Sequence, residues 1–162
     1  MLEAHFLFDL PLSSIEVVIH PQSLVHGLVR FDDGSIKAQV GPHDMRLPIQ
    51  YALEAPHRPP TPLAPLPLQG RWDFAAPDLE RFPSLPLAYR AGELGGVAPA
   101  YLNAADEIAV ARFLAGRVRF TDIPRLLEYV LAQAPREPLG WDALLAGDRE
   151  ARELAGAWRA SA

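Results

Sequence analysis

Prolines are concentrated in one short segment of this chain, from Ala55 to Pro67. Six of the chain's 17 prolines lie in this segment. Because proline fixes φ and lacks a backbone N–H, the segment cannot form a helix and favours an extended, semi-rigid conformation. The less common alternative for such a segment is a ligand for an SH3-like domain. The sequence therefore predicts a proline-rich linker and irregular strap at residues 55–83, between domains at residues 1–54 and 84–162.

The first of these predicted domains carries the alternating apolar pattern of β-strands. Hydrophobicity alternates in Ile15–His20, in Leu24–Phe31 and in Ile36–Val40, as expected of partly buried strands. Asp32-Asp33-Gly34-Ser35 separates the last two runs and suits a tight turn, because these residues tolerate positive φ. The pattern predicts one strand, then a hairpin, then a short helix at Pro48–Glu54.

The last predicted domain has the 3.6-residue periodicity of amphipathic helices. Four helical segments are expected here: Leu85–Leu94, Ala98–Ala115, a segment capped by Thr121 that carries Ile123 to Leu131, and Trp141–Trp158 with a break near Gly147. Short amphipathic helices with brief connections pack best as a bundle. The expected fold class is α+β: a small, mostly antiparallel sheet with helices, then the proline-rich linker and a C-terminal helical bundle.

Composition argues against several functional classes. Fifteen Lys and Arg against 20 Asp and Glu give a net charge of −5 without a basic block, so we expect no nucleic-acid partner. No apolar run approaches the roughly 20 residues of a membrane-spanning helix. Residues 1–12 have neither the basic start nor the small-residue cleavage site of a secretory leader, and we expect a soluble, cytoplasmic protein. The chain has no cysteine, which excludes disulfides and thiolate metal ligands.

Polar residues around the start of the hairpin are the main candidates for a binding pocket. His26 could line a pocket, where a histidine can titrate near neutral pH, or could be a hydrogen-bonded histidine of a half-buried sheet. Ser23, like Gln22, could contact a ligand or hold the turn made by Pro21. Met45 offers adaptable apolar contact to a flat ring, or simply fills the core.

The histidine and carboxylate spacings do not predict a metal site in this chain. His20 and His26 are six residues apart, which is not a recognised ligand spacing. Asp106 and Glu107 are neighbours on a predicted helix and therefore point in different directions. With Asn103 one turn away, these carboxylates are expected to form a structural polar cluster.

Four motifs, in the same order along the chain, resemble those of the 1-deoxy-D-xylulose 5-phosphate reductoisomerase family. They are His20–His26 with Gly41–Ile49, Asp73–Asp78, Leu102–Ile108 and Arg119–Ile123. The resemblance extends over essentially the whole chain, but it covers only the family's C-terminal portion. That portion comprises the second half of the central catalytic domain and the C-terminal helical domain.

The resemblance implies an enzyme of isoprenoid biosynthesis. Members use NADPH and Mg²⁺ or Mn²⁺ to isomerise and reduce 1-deoxy-D-xylulose 5-phosphate to 2-C-methyl-D-erythritol 4-phosphate. The family's metal-binding and NADPH-binding segments precede the matched region, so we expect them to be missing. This chain alone is then expected to be an inactive fragment that binds neither NADPH nor the metal tightly. The implied partners are those N-terminal segments and a second copy, as a homodimer through the central sheet. The alternative is a non-catalytic oligomerisation or regulatory module that binds a full-length or complementing reductoisomerase.

The resemblance also implies roles for individual residues. His26 matches a histidine that looks important for activity, and Met45 matches a position that approaches the nicotinamide end of NADPH. Glu3 matches a glutamate that follows the metal ligand and does not itself bind the ion. Pro42-His43 departs from the family pattern, in which proline directly precedes the aspartate.

Overall fold

The computed structural model describes residues 1–160, so Ser161 and Ala162, the end of the predicted domain 84–162, lie outside the described residues. Within this range the chain forms six α-helices and one two-stranded antiparallel sheet. The elements are α1 (Leu2–Phe8), β1 (Val25–Arg30), β2 (Ile36–Val40), α2 (Arg46–Glu54), α3 (Ser84–Leu94), α4 (Ala98–Leu114), α5 (Ile123–Leu131) and α6 (Trp141–Ala157). The predicted α+β class and the small antiparallel sheet are confirmed.

The chain divides into two compact units. The sheet unit is residues 18–76 and contains the hairpin and α2. The helical unit is formed by residues 1–17 together with the chain from Pro77 onward, and contains α1 and α3 to α6. This grouping follows spatial contacts, whereas the predicted domains follow sequence pattern. The boundaries at residues 54 and 83 stay a prediction.

Helix α4 occupies the centre of the helical unit, packed against α3, α5 and α6. Its buried face combines Tyr101 and Leu102 with four alanines, whose small side chains let neighbouring helices approach closely. Helix α5 adds a strongly apolar face, with Leu126 and Val130 fully buried. Full burial of one such side chain contributes about 1.5–3 kcal/mol. The core of this unit is therefore built around α4, with α5 as its main apolar neighbour.

Helices α4 and α6 run parallel to each other. Tyr101 bonds Glu150 near the start of α4, Glu107 pairs with Arg152 in the middle, and Arg112 donates to the carbonyl of Ala155 near the end. The expected break near Gly147 is wrong, because α6 is continuous from Trp141 to Ala157. Gly147 is buried against the ring of Tyr101, so this glycine provides close approach rather than a helix end.

The first residues of the chain pack on α3. The Tyr89 hydroxyl donates to the Ile15 carbonyl at 2.7 Å, and methyl groups of Leu2 and Leu12 lie over Gly92.

The prediction of a strand at Ile15–His20 is wrong. Its only ladder contact among the described residues is an isolated bridge between Ile19 and Ala75, so most of its backbone has no strand to pair with.

The hairpin has the expected turn but remains open to solvent on both faces. Gly34 has φ +82°, and the Phe31 amide donates to the Ser35 carbonyl at 2.9 Å. Val29 and Ile36 are 58% and 56% exposed.

Among residues 1–160, no helix is both long and apolar enough to cross a membrane.

Candidate functional site

A cleft of about 440 Å³ lies within the sheet unit. Its walls come from β1, from the loop after β2, from α2 and from the segment after α2. The structure brings two predicted site residues, His26 and Met45, together on this cleft. Sequence reasoning did not single out two other residues of the wall, Tyr51 and Arg58.

His26 lies at a β-bulge, which breaks the alternation expected from the sequence. Val25 pairs with Val40 and Gly27 pairs with Gln39, so His26 is an extra residue without a partner in the ladder. Bulges change the direction of a side chain and are common beside active sites. The pattern placed His26 on the same strand face as Leu28, and the bulge is the reason that this simple alternation fails.

The ring of His26 is oriented by the loop after β2. Its Nε2 lies 3.2 Å from the carbonyl oxygen of Gly41. Because a carbonyl can only accept, Nε2 carries the proton, and Nδ1 of the neutral ring is then an acceptor. His43 lies close by, with 6.3 Å between the two ring centroids. Both imidazoles therefore belong to the wall of the cleft.

An ion pair fixes the loop that presents Met45. The Arg46 guanidinium donates to both carboxylate oxygens of Asp44, at 2.9 and 2.6 Å, and the Arg46 amide donates to Asp44 at 2.9 Å. These side-chain bonds, followed by the backbone bond, lower the pKa of Asp44 to about 2. Met45 is 69% exposed beside this anchored turn. Its thioether is thus presented to the cleft and is not buried as core filling.

The polar turn before β1 holds the segment around Asp73 in place. Gln22 donates to the Asp73 carboxylate at 2.9 Å and accepts from the Asp73 amide at 3.2 Å. His20 donates through Nδ1 to the Asp73 carbonyl at 2.8 Å and stacks on Phe74. Gln22 thus has a structural contact other than the expected one, because its side chain bonds the distant Asp73 and not the backbone of the turn made by Pro21.

Ser23 lies in the same turn, in the left-handed region at φ +51°. Its amide donates to the carbonyl of His20 at 3.0 Å. Ser23 is not among the residues that line the cleft, while His26, three positions later, is. A direct contact of Ser23 with a ligand stays a prediction.

Arg58 enters the cleft wall from the start of the proline-rich segment. Its guanidinium carbon lies 4.1 Å from the centre of the Tyr51 ring. Gln50 donates to the carbonyls of Pro59 and Pro60 at 3.2 and 3.1 Å, which ties this part of the segment back onto α2. The prediction of a linker gave no reason to consider Arg58. A high density of prolines predicts the backbone conformation of a segment, but it does not predict what the side chains between the prolines contact.

No group of three or more His, Asp or Glu side chains in residues 1–160 is arranged to hold a metal ion. Asn103 donates to Glu107 at 3.1 Å, and Glu107 pairs with Arg152 of α6 at 2.8 Å. The expected polar cluster on α4 is therefore a link between helices.

Comparison with known proteins places these features in a family. The model of the DXP reductoisomerase C-terminal domain matches residues 40–154. The 1-deoxy-D-xylulose 5-phosphate reductoisomerase of Thermus thermophilus is 56% identical over 158 residues, which is 98% of this chain and 43% of that protein. The one from Thermomicrobium roseum is 52% identical over 96% of this chain and 41% of its own length.

Solved structures agree with the sequence relatives. The reductoisomerase from Zymomonas mobilis in complex with NADPH superimposes with a TM-score of 0.89 at 45% identity, over 96% of this chain and 42% of that one. A reductoisomerase structure with fosmidomycin and magnesium gives 0.90 at 42% identity, over the same shares. The chain thus spans about two fifths of the relatives that it matches. It belongs to the 1-deoxy-D-xylulose 5-phosphate reductoisomerase family.

Proposed function

We propose that this chain supplies the C-terminal part of a 1-deoxy-D-xylulose 5-phosphate reductoisomerase. The complete enzyme would isomerise and reduce that sugar phosphate to 2-C-methyl-D-erythritol 4-phosphate with NADPH, in isoprenoid biosynthesis. The observation that supports this most strongly is the 56% identity to the Thermus thermophilus reductoisomerase, over 98% of this chain. The match covers 43% of that protein, so the activity would need the remaining part of the enzyme, and the chain by itself would be inactive.

The cleft would form the wall that faces the nicotinamide ring. Met45 and Pro48 offer polarisable and apolar surface to a flat ring. NADPH supplies a hydride when bound. His26, with Nε2 committed to Gly41, would accept a hydrogen bond from the bound ligand at Nδ1 and so orient it.

The divalent metal of the complete enzyme would be held by residues beyond those described. Among residues 1–160 the carboxylates and histidines do not converge on a common point, so they do not fit Mg²⁺ or Mn²⁺. The chain alone would bind neither ion tightly.

The hairpin would take part in a homodimer of the complete, cytoplasmic enzyme. Within the described residues β1 and β2 pair only with each other, which leaves the outer backbone edge of each strand open to another strand. Leu28, Val29 and Ile36 are 44%, 58% and 56% exposed. In this assembly, residues 55–83 would act as a proline-rich linker, and the helices after residue 84 as a C-terminal bundle.

The proposal can be tested by mixing. This chain would be combined with the separately produced N-terminal portion of the Thermus thermophilus relative, and NADPH oxidation followed at increasing Mn²⁺. We expect turnover only when both polypeptides are present. Absence of turnover from a mixture that forms a stable complex would contradict the proposed function. Turnover by this chain alone would contradict its proposed inactivity.

A further inference from the structure

We propose that Arg58 is a binding residue of the cleft, which anchors a phosphate ester carried by the ligand whose ring lies beside Met45. The inference rests on the proposed function, because it takes the ring to bind there. Arg58 would supply the positive charge that pairs with the charged part of the same ligand. The ligand class is therefore a ring compound with a phosphorylated sugar.

The first argument is that the position of Arg58 is set in advance. Its guanidinium carbon lies 4.1 Å from the centre of the Tyr51 ring, a distance typical of a cation–π contact. The chain immediately after it is fixed by the bonds from Gln50 to the carbonyls of Pro59 and Pro60. An arginine held in this way loses less conformational freedom when it binds an anion.

The second argument is that this cation has no internal counter-charge. Among the described residues, no carboxylate lies within salt-bridge distance of Arg58, whereas the nearby Arg46 is held by Asp44 at 2.6 Å. Asp44, the carboxylate in the cleft wall, is thus already neutralised. The guanidinium of Arg58 is left for a ligand, and its planar set of donors suits phosphate oxygens.

The third argument is the arrangement of apolar and charged surface within one cleft of about 440 Å³. Met45 and Pro48 line it together with Tyr51 and Arg58. A ligand whose ring lies on the apolar surface would need an anionic extension to pair with the guanidinium. A sugar phosphate provides such an extension.

The test uses the full chain and three probes, with binding read from amide and arginine side-chain NMR shifts of the cleft residues. The probes are nicotinamide mononucleotide, nicotinamide riboside, which lacks the phosphate, and inorganic phosphate. We expect the mononucleotide to bind about tenfold tighter than the riboside. In Arg58→Gln the two should bind equally. In the matched control Arg149→Gln, at an exposed position of α6, the difference should persist. Added salt should reduce the difference in affinity between the mononucleotide and the riboside.

Equal affinities of mononucleotide and riboside for the unsubstituted chain would overturn the role of Arg58 while leaving the ring site intact. Inorganic phosphate that binds as tightly as the mononucleotide, and loses its affinity in Arg58→Gln, would support the anchor but contradict the ring beside Met45. If no probe shifts a cleft resonance, both proposals fail. The amide spectrum of Arg58→Gln away from the cleft shows whether that variant is folded.

Discussion

Gly147 on α6 lies directly against the ring of Tyr101 on α4. A Cβ atom added to Gly147 would come within 2.8 Å of Cε2 of that ring. Tyr101 is fully buried and its hydroxyl donates to Glu150, so the ring cannot move aside without breaking that bond. Burial, followed by this bond to a carboxylate, raises the pKa of Tyr101. The contact sets how closely α4 and α6 approach.

Replacing Gly147 with alanine should therefore destabilise the helical unit. We expect the free energy of unfolding to fall by about 1–3 kcal/mol, the usual cost of overpacking a core. The matched control is Gly156→Ala on the same helix, where an added Cβ would meet no atom within 4 Å. That change should stabilise the helix by about 0.5–1 kcal/mol. Urea unfolding measures both, and a Gly147→Ala variant as stable as the control would contradict the close packing.

The ion pair beside Met45 can be tested by titration. Because the pKa of Asp44 is lowered to about 2 from 3.8, the pair is present above pH 4 and is lost as the pH falls towards 2. Arg46→Gln should raise the Asp44 pKa towards its ordinary value, although the backbone bond remains. Carboxyl NMR shifts measure this change. The pKa of Asp33, which is lowered by Ser35, should stay constant, and an unchanged Asp44 would refute the role of Arg46.

The attachment of residues 1–17 to α3 depends in part on Tyr89. Tyr89→Phe removes the bond to the Ile15 carbonyl and should cost about 1 kcal/mol. Hydrogen exchange in α1 should become faster, while exchange in α5 should not change. Tyr129→Phe is the control, since Tyr129 is 45% exposed on α5. Equal exchange in α1 for the two variants would argue against this attachment.

Gln22 offers a choice between a structural and a ligand-binding role. Gln22→Ala removes both of its bonds to Asp73, and we expect a loss of about 1–2 kcal/mol in stability. Residues 71–75 should also become more susceptible to proteolysis. Gln69→Ala, at an exposed position in the same unit, serves as the control. A Gln22→Ala variant that is fully stable but binds nicotinamide mononucleotide poorly would instead favour the ligand-binding role.

The hairpin and the four C-terminal helices could be predicted because their signals are local. Asp32-Asp33-Gly34-Ser35 demands a tight turn whatever surrounds it, and the helical segments α3 to α6 extend over about two and a half to nearly five turns. Helix α1 was missed because seven residues are too few for a clear period. The break expected at Gly147 followed the intrinsic helix propensity of glycine, which the contact with Tyr101 overrides.

The candidate site was predictable only in part. His26 and Met45 stand out by residue type and by motif, and the structure brings them to one cleft. The bulge at His26 depends on the register of β2, which hydrophobic alternation does not encode. Arg58 reaches the cleft because Gln50 and Tyr51, both on α2, hold the start of the proline-rich segment against that helix. Such contacts between neighbouring elements produce no periodic pattern of residue types in the sequence.

A chimeric enzyme tests the central claim most directly. In the Thermus thermophilus reductoisomerase, the matching C-terminal residues would be replaced by this chain, and the NADPH-dependent reduction of 1-deoxy-D-xylulose 5-phosphate would be measured. We expect the chimera to be active, with Met45→Ala raising the KM for NADPH several-fold. A folded, soluble chimera without activity would contradict the claim that this chain supplies the C-terminal part of the enzyme.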